Sequence, residues 1–411
     1  MIRRRKIRFY PHEPKDILDC IMTGHVQQGR YIRLFEEEFA KYIGAMHAIS
    51  VSSGRAGLSI ILDALELEKG SEIIMPAYTL KDLVTLIKKK GFTVKLIDVE
   101  KDTFNMNCEL LEKAITAKSK AIIATHIFGV PCNMLKIKSL ARQHNIKVIE
   151  DCAHALGAEI ENEKVGTLGD AAFFSFESSK LLNTFGGGMI TTNSPVIASR
   201  AFNAVEKHPF KYFKILTKIA MTYLQVSLGE GLLFPIFALF FRFEITTKIM
   251  TGLYLLLHKL NRAKYCRFSN LQSLIGLKQL KSLNTRNSQR EQIAKILDNG
   301  LKEPALPQKS LLDSKRVYYF YVINVAAPSI VNLALIRKKL IRKGIDCGIK
   351  SEITDNCSFY TVNFERCPVT MQLYSSNIQI PIYDDMTEKE AQYIIDTVMA
   401  CIALNDTKQK K

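Results

Sequence analysis

The sequence predicts an α/β fold, a mostly parallel sheet with flanking helices, followed by a smaller α+β domain at the C-terminal end. Three observations carry that prediction. From residue 35 to about 195, apolar segments alternate between the period of a strand and the period of a helix. The helical segments are long enough to act as crossovers between parallel strands. The chain has 411 residues, 47% hydrophobic and 24% charged, which is ample for a large core and excludes wholesale disorder.

In order, 35–43 is helical in pattern and 48–51 ("AISV") is a short strand. Residues 56–65 form a helix, 72–75 ("EIIM") a strand, 80–90 a helix and 93–99 a strand. A helix at 108–117, a strand at 121–124, a helix at 133–144 and a strand at 147–150 complete the run. In such sheets ligands collect at the carboxyl ends of the strands, so functional side chains are expected just after Val51, Met75, Ala124 and Glu150. Farther on, 317–325 and 378–382 read as strands, and 332–343 and 387–401 as helices with clear apolar faces. The expected division is a large domain over 1–204, an insertion over 205–265 and the small C-terminal domain over 266–411.

The insertion carries apolar segments at 219–229, 232–241 and 249–257, rimmed by basic residues that include Lys207, Lys211, Lys248 and Lys264. No uninterrupted apolar run reaches the roughly 20 residues of a spanning helix. Packing on the body of the protein or on a partner subunit is one reading; a peripheral membrane contact is the other.

The formal net charge of +17 calls for an anionic partner such as a phosphate-bearing substrate. Neither a nucleic-acid motif nor a base-stacking signature accompanies the basic residues, so no nucleic-acid role is expected. Nine scattered cysteines, without metal-type spacing, read as buried hydrophobes. With a charged start at Met1-Ile-Arg-Arg-Arg5 they predict a cytoplasmic protein, with membrane association as the option the insertion leaves open, and no metal site.

Chemistry is expected at three strand ends. Ser52-Ser53-Gly54-Arg55 leads straight into a helix, whose unpaired amides and dipole can hold a phosphate. Asp151 ends a buried strand, where a carboxylate is costly unless something positive faces it, and His154 follows three residues later. Ser175 ends the next strand, with Lys180 and Gly186-Gly187-Gly188 behind it. A phosphate cradle, a strand-end aspartate and a lysine with glycines after it are the parts of a pyridoxal 5'-phosphate site. In it Asp151 keeps the pyridine nitrogen protonated and Lys180 supplies the primary amine that bonds the cofactor and then moves protons.

The stretches "FEEEFAKYIGAMHAISVSSGRAGL", "GSEIIMPAYTL", "THIFGVP", "VIEDCAHALGA", "GTLGDAAFFSFESSK", "GGGMITTN" and "RFSNLQ" together resemble the DegT/DnrJ/StrS sugar aminotransferases. The resemblance covers everything but 205–265 and implies fold type I. It makes Lys180 the Schiff-base lysine and Asp151 the partner of the pyridine nitrogen. His154 takes the place of a glutamine or histidine beside the cofactor hydroxyl. Ser53, Ser175 and the backbone of Gly54 and Arg55 become the phosphate site, and His126 lies in a loop near the cofactor face. A homodimer is implied too. Three positions depart from the family pattern: Arg55 replaces a threonine, Leu80 a stacking aromatic, and Tyr265 an asparagine that reaches the neighbouring subunit.

The expected function is transfer of an amino group, with glutamate as the implied donor, onto a keto sugar carried on a nucleotide or a lipid. The dehydrating members have histidine in place of the lysine, so Lys180 argues against that variant. The alternative is a catalytically weak or regulatory protein that keeps the fold. Substrate choice is expected in loops near 23–31, 180–190 and 345–365.

Overall fold

Alternation along the strands builds the molecule. In the computed structural model, which describes residues 1–230, 265–325, 332–360 and 367–409, helices α1 (Glu13–Met22) and α2 (Tyr31–Ile43) precede the sheet. Then come β1 (His47–Val51), α3 (Gly54–Ala64), β2 (Glu72–Pro76), α4 (Lys81–Lys89), β3 (Thr93–Ile97) and α5 (Cys108–Ala114). They are followed by β4 (Ser119–Thr125), α6 (Met134–Gln143), β5 (Lys147–Asp151), β6 (Ala171–Ser175), β7 (Gly188–Thr192), α7 (Pro195–Glu206) and α8 (Tyr212–Glu230).

The strands lie in the order β1-β7-β6-β5-β4-β2-β3. Pairings from β3 through β6 are parallel, and β7 runs antiparallel to both its neighbours. Successive strand residues face opposite sides of the sheet. Ile73, Ile123, Ile149 and Phe173 therefore enter one core with α3, α4 and α7. Ile74, Ile122, Val148 and Phe174 enter the other, with α2, α5 and α6. Burial on both faces is why these strands read as continuous apolar runs. Four of the helices start where the sequence offers a cap: Ser53, Asn107, Asn133 and Ser194 each accept a first-turn amide.

After a capping box at Ser269 and Gln272, α9 (Asn270–Lys281) and α10 (Leu283–Gly300) lead to the smaller unit. It comprises β8 (Ala305–Pro307), β9 (Tyr321–Val325), α11 (Leu333–Arg342), β10 (Gly348–Ile349), α12 (Pro368–Ser376), β11 (Asn377–Ile380) and α13 (Glu388–Gln409). Its sheet, β8-β9-β11-β10, is antiparallel throughout and has a core of its own around Ile323, Ile336, Ile378 and Ile394. The fold is type I, as expected. One difference matters: of the strand expected over 317–325, only β9 pairs in this sheet. Val317 leaves it to donate to the carbonyl of Gly129 at 3.1 Å, which carries Tyr319 and Phe320 toward the main sheet.

Of the stretch 205–265, α8 lies on the body, with Ile215 and Ile219 buried against Phe185, Leu271 and Ile275. The apolar segments 232–241 and 249–257 lie outside the described residues. Among the described residues no helix is long and apolar enough to cross a membrane.

Helix α8 is tied to α1 by Tyr223, whose hydroxyl donates to Oε1 of the fully buried Glu13 at 3.0 Å. Burial pushes the Glu13 carboxyl up to about 7, against the 4.5 of a free one. A raised pKa means that the folded state holds the proton more tightly. That stabilisation is complete below 4.5 and is lost as the pH rises through about 7. Glu13→Gln is therefore expected to gain on the parent, by up to roughly 3 kcal/mol, between pH 5 and pH 8 in denaturant melts. Parallel curves for the two proteins would contradict this.

Candidate active site

The carboxyl ends of β1, β4, β5 and β6 share one edge of the sheet, and there the structure brings Ser53, Gly54, His126, Asp151 and Ser175 together. Ser53 caps α3 by accepting from the amide of Ala56 at 3.1 Å. A side chain at Gly54 would place its Cβ 3.2 Å from the Cβ of Ser175. At Gly188 a Cβ would lie 2.3 Å from the carbonyl oxygen of Phe174, an overlap that backbone cannot relieve. These glycines let α3, β6 and β7 converge, and Ser53 bridges to Gly187. The side chain of Arg55 is committed elsewhere, in an ion pair with Asp82.

Asp151 is 6% exposed. Its Oδ1 accepts from the amide of Ala153 at 3.0 Å. Burial pushes the carboxyl up, while that amide, Lys180 and His126 oppose the rise. The adjacent Glu150 faces the other side of the strand. It accepts from the amides of Gly166, Leu168 and Gly169 at 2.9, 2.8 and 2.8 Å. The Nδ1 of His126 accepts from Cys132 at 3.0 Å, so its Nε2 carries the proton that reaches Glu150 at 3.1 Å. His126 is thus occupied beneath the site. His126, Glu150 and Cys152 lie close enough to share a metal ion, yet the carboxylate is already saturated by these donors.

Lys180 follows a tight turn in which its amide donates to the carbonyl of Glu177 at 2.8 Å. It is half-buried and forms no ion pair among the described residues. Its Nζ lies 4.2 Å from the ring centroid of Tyr319. The Tyr319 hydroxyl is 3.2 Å from Oγ of Ser179, and its ring stacks on Phe320 at 4.0 Å and on His154 at 4.4 Å. Burial favours the neutral phenol, but Lys180 and Arg5 outweigh it and bring Tyr319 below the ordinary range. Nδ1 of His154 accepts from the amide of Phe128 at 3.4 Å. Burial, with Lys180 and Arg5 beside it, holds that imidazole well below its usual range, hence neutral.

The loop between Lys180 and β7 is fixed from outside. Nε2 of Gln272 donates to the carbonyls of Thr184 and Gly186 at 3.0 and 2.9 Å. Lys218 on α8 pairs with Glu177 at 2.7 Å and lies where a side chain at Gly186 would go. Leu80 is exposed at the start of α4. The Tyr265 hydroxyl donates to Ser59 on α3 at 2.9 Å, and its ring stacks on His208. Tyr319, Phe320 and Arg5 stand beside Lys180 and His154 although no sequence pattern assigns them a role. Their only signal was the aromatic run Tyr318–Tyr321 ahead of a strand and a basic N-terminal cluster.

The model of the DegT/DnrJ/EryC1/StrS aminotransferase family matches residues 11–229 and 254–399. The chain is 28% identical to the GDP-perosamine synthase of Escherichia coli O157:H7, with 94% of each chain covered. It is also 28% identical to the dTDP-3-amino-3,6-dideoxy-alpha-D-galactopyranose transaminase of Aneurinibacillus thermoaerophilus, with 97% of each covered. Among solved structures it resembles Helicobacter pylori PseC, an aminotransferase involved in the biosynthesis of pseudoaminic acid. The TM-score is 0.78 at 21% identity, over 98% of this chain and 99% of that one.

A buried carboxylate with a raised pKa makes a contribution to stability that is lost as the pH rises through the folded value. Asp151→Asn, which removes the charge and keeps the acceptor for Ala153, should therefore leave the cofactor-free protein melting no lower than the parent at neutral pH. A clear drop in melting temperature would show that the carboxylate is compensated in ways the geometry does not reveal.

Proposed function

This chain belongs to the DegT/DnrJ/EryC1/StrS aminotransferase family, and from that premise we propose that it transfers an amino group to a keto sugar using pyridoxal 5'-phosphate. The observation that carries the reading is the amine of Lys180, unpaired with any acid among the described residues, on the sheet edge where Asp151 and the start of α3 meet. The residues present fit the cofactor. The first-turn amides of α3 and the hydroxyls of Ser53 and Ser175, brought together by the close approach at Gly54 and Gly188, suit a phosphate. The buried carboxylate of Asp151 suits a cationic ring nitrogen.

When bound, the cofactor supplies an electron sink that stabilises negative charge on the reacting carbon. Asp151 keeps the ring nitrogen protonated, which a neutral side chain could not do as strongly. His154, held neutral, offers a hydrogen bond to the ring edge without adding charge beside Lys180. Nζ of Lys180 would hold the cofactor and would serve as the base that moves a proton between the reacting carbons. The ring of Tyr319, stacked on Phe320, lies against the amine and limits water on that side. In place of Leu80, these two rings are the aromatic surface nearest the lysine. Only a primary amine serves both needs, so Lys180→Ala removes binding and proton transfer together.

Glutamate is the donor that the family resemblance implies. The sugar-nucleotide names of the two relatives support a nucleotide-linked keto sugar over a lipid-linked one as acceptor. A homodimer is the assembly we infer. A peripheral membrane contact through 205–265 is proposed for location alone. Liposome co-sedimentation of the full chain against one lacking 210–260 tests it, and equal partitioning of the two would leave only packing against protein.

The function is tested by loading the protein with pyridoxal phosphate, reducing with borohydride and mapping the adduct by mass spectrometry. The expected mass increase falls on the peptide containing Lys180 and is absent from Lys180→Ala. Loaded parent should then aminate one member of a panel of keto-sugar nucleotides when given glutamate, and Asp151→Asn should do so at least about a hundredfold more slowly. An adduct on another lysine, or an unchanged one in Lys180→Ala, would overturn the assignment.

A further inference from the structure

We infer that Arg5 forms a carboxylate-binding site for the amino donor, on the aromatic platform it shares with Lys180; the inference rests on the aminotransferase reading above. The basic N-terminal arm is strapped to the smaller unit. The amide of Ile2 donates to Gly344 at 2.7 Å and its carbonyl accepts from Asp346 at 2.9 Å. Its cations are then used differently. Arg4 pairs with Glu352 at 2.8 Å, Lys6 with Asp385 at 2.6 Å and Arg8 with Asp384 at 3.0 Å. Arg5 has no carboxylate partner among the described residues. One of its amino groups donates to the backbone carbonyl of Glu352 at 3.3 Å, and the side chain is exposed.

What holds this guanidinium is an aromatic face. It lies 4.8 Å from the centroid of Phe320, which stacks on Tyr319 at 4.0 Å, and Tyr319 is the ring beneath Nζ of Lys180 at 4.2 Å. Arg5 and Lys180 thus share one aromatic platform. The neutral imidazole of His154 is stacked on the same platform. Stacking fixes the plane of the guanidinium and leaves edge donors for a ligand. Both cations act on His154 and Tyr319, so their fields overlap in this space.

Two cations sharing one aromatic platform carry a repulsive cost there. An arriving anion removes that cost. An amino-acid donor carries its carboxylates within a few bonds of the amine it gives up, and a guanidinium fork matches a carboxylate in a bidentate way. That reach favours the donor over the diphosphate of a sugar nucleotide, the other anion this enzyme would meet.

The test uses the full chain loaded with cofactor, as parent, Arg5→Gln and Arg5→Lys, first checked for equal melting temperature and for the reducible adduct on Lys180. Calorimetry measures binding of glutarate, a dicarboxylate that cannot react, and of GDP. Stopped-flow absorbance follows the half-reaction with glutamate in the absence of sugar. Arg5→Gln is expected to weaken glutarate and raise the half-saturating glutamate concentration by about tenfold or more, while the limiting rate falls less than about threefold. Arg5→Lys should recover part of the affinity, and GDP binding should not change. Unchanged glutarate affinity in Arg5→Gln overturns the site, and a loss confined to GDP reassigns the guanidinium to the sugar nucleotide and overturns it equally. Failure of the parent to form the adduct defeats the aminotransferase reading and this inference with it; a parent that forms it and an Arg5→Gln that binds glutarate normally defeats this inference alone.

Discussion

A carboxylate shut away from water needs a positive partner, and the placement of Asp151 is the constraint on which the rest of this site depends. It sits at the carboxyl end of a central parallel strand, 6% exposed, with one backbone amide and no ion pair of its own among the described residues. Its neighbour Glu150 shows the contrast. One residue back along the strand, and therefore on the opposite face, that carboxylate collects three amides and the ring of His126. Nature of environment, not residue type, separates the two. Glu150 is satisfied from within and serves to fix the turn at Gly166–Gly169, while Asp151 is left available at the edge where ligands of such sheets are bound.

Around that carboxylate the structure concentrates backbone rather than charge. The starts of α3 and β7 and the end of β6 approach so closely that a methyl group at Gly188 would overlap the carbonyl of Phe174. The loop that carries Lys180 is held by Gln272 and by the Lys218–Glu177 pair, so the lysine is positioned from two sides while its own amine stays out of any ion pair among the described residues. Packing and function meet in α8, which buries Ile215 and Ile219 in the body and also delivers Lys218 to the glycine loop.

Residues on the strands and in the loops immediately after them were legible in the sequence. Ser53, Asp151, Ser175 and Lys180 each follow a periodic apolar run, so the run locates the strand end and the strand end locates the residue. The period also placed the core, because alternate residues of "KVIE" enter opposite clusters. Arg5, Tyr319 and Phe320 were not legible, since they reach the site through tertiary packing across hundreds of residues. The segment before β9 reads as strand by composition, and the bond from Val317 to Gly129, with the stacking of Tyr319 on His154, takes it out of the sheet. The family resemblance puts His126 in a loop near the cofactor face, and its ring turns to Glu150, a choice set by a partner that the sequence does not reveal. Arg55 likewise meets Asp82 on the next helix instead of turning into the cradle.

If Asp151 is kept buried in order to hold a proton on a cofactor ring, that proton is the most direct thing to observe. Nitrogen NMR of the protein loaded with pyridoxal phosphate labelled at the ring nitrogen reads its protonation state. The account predicts the shift of a protonated pyridinium, hydrogen-bonded and unchanged across the neutral pH range, and its conversion to that of a neutral pyridine in Asp151→Ala. A neutral ring in the parent, or the same protonated signal in Asp151→Ala, would contradict it.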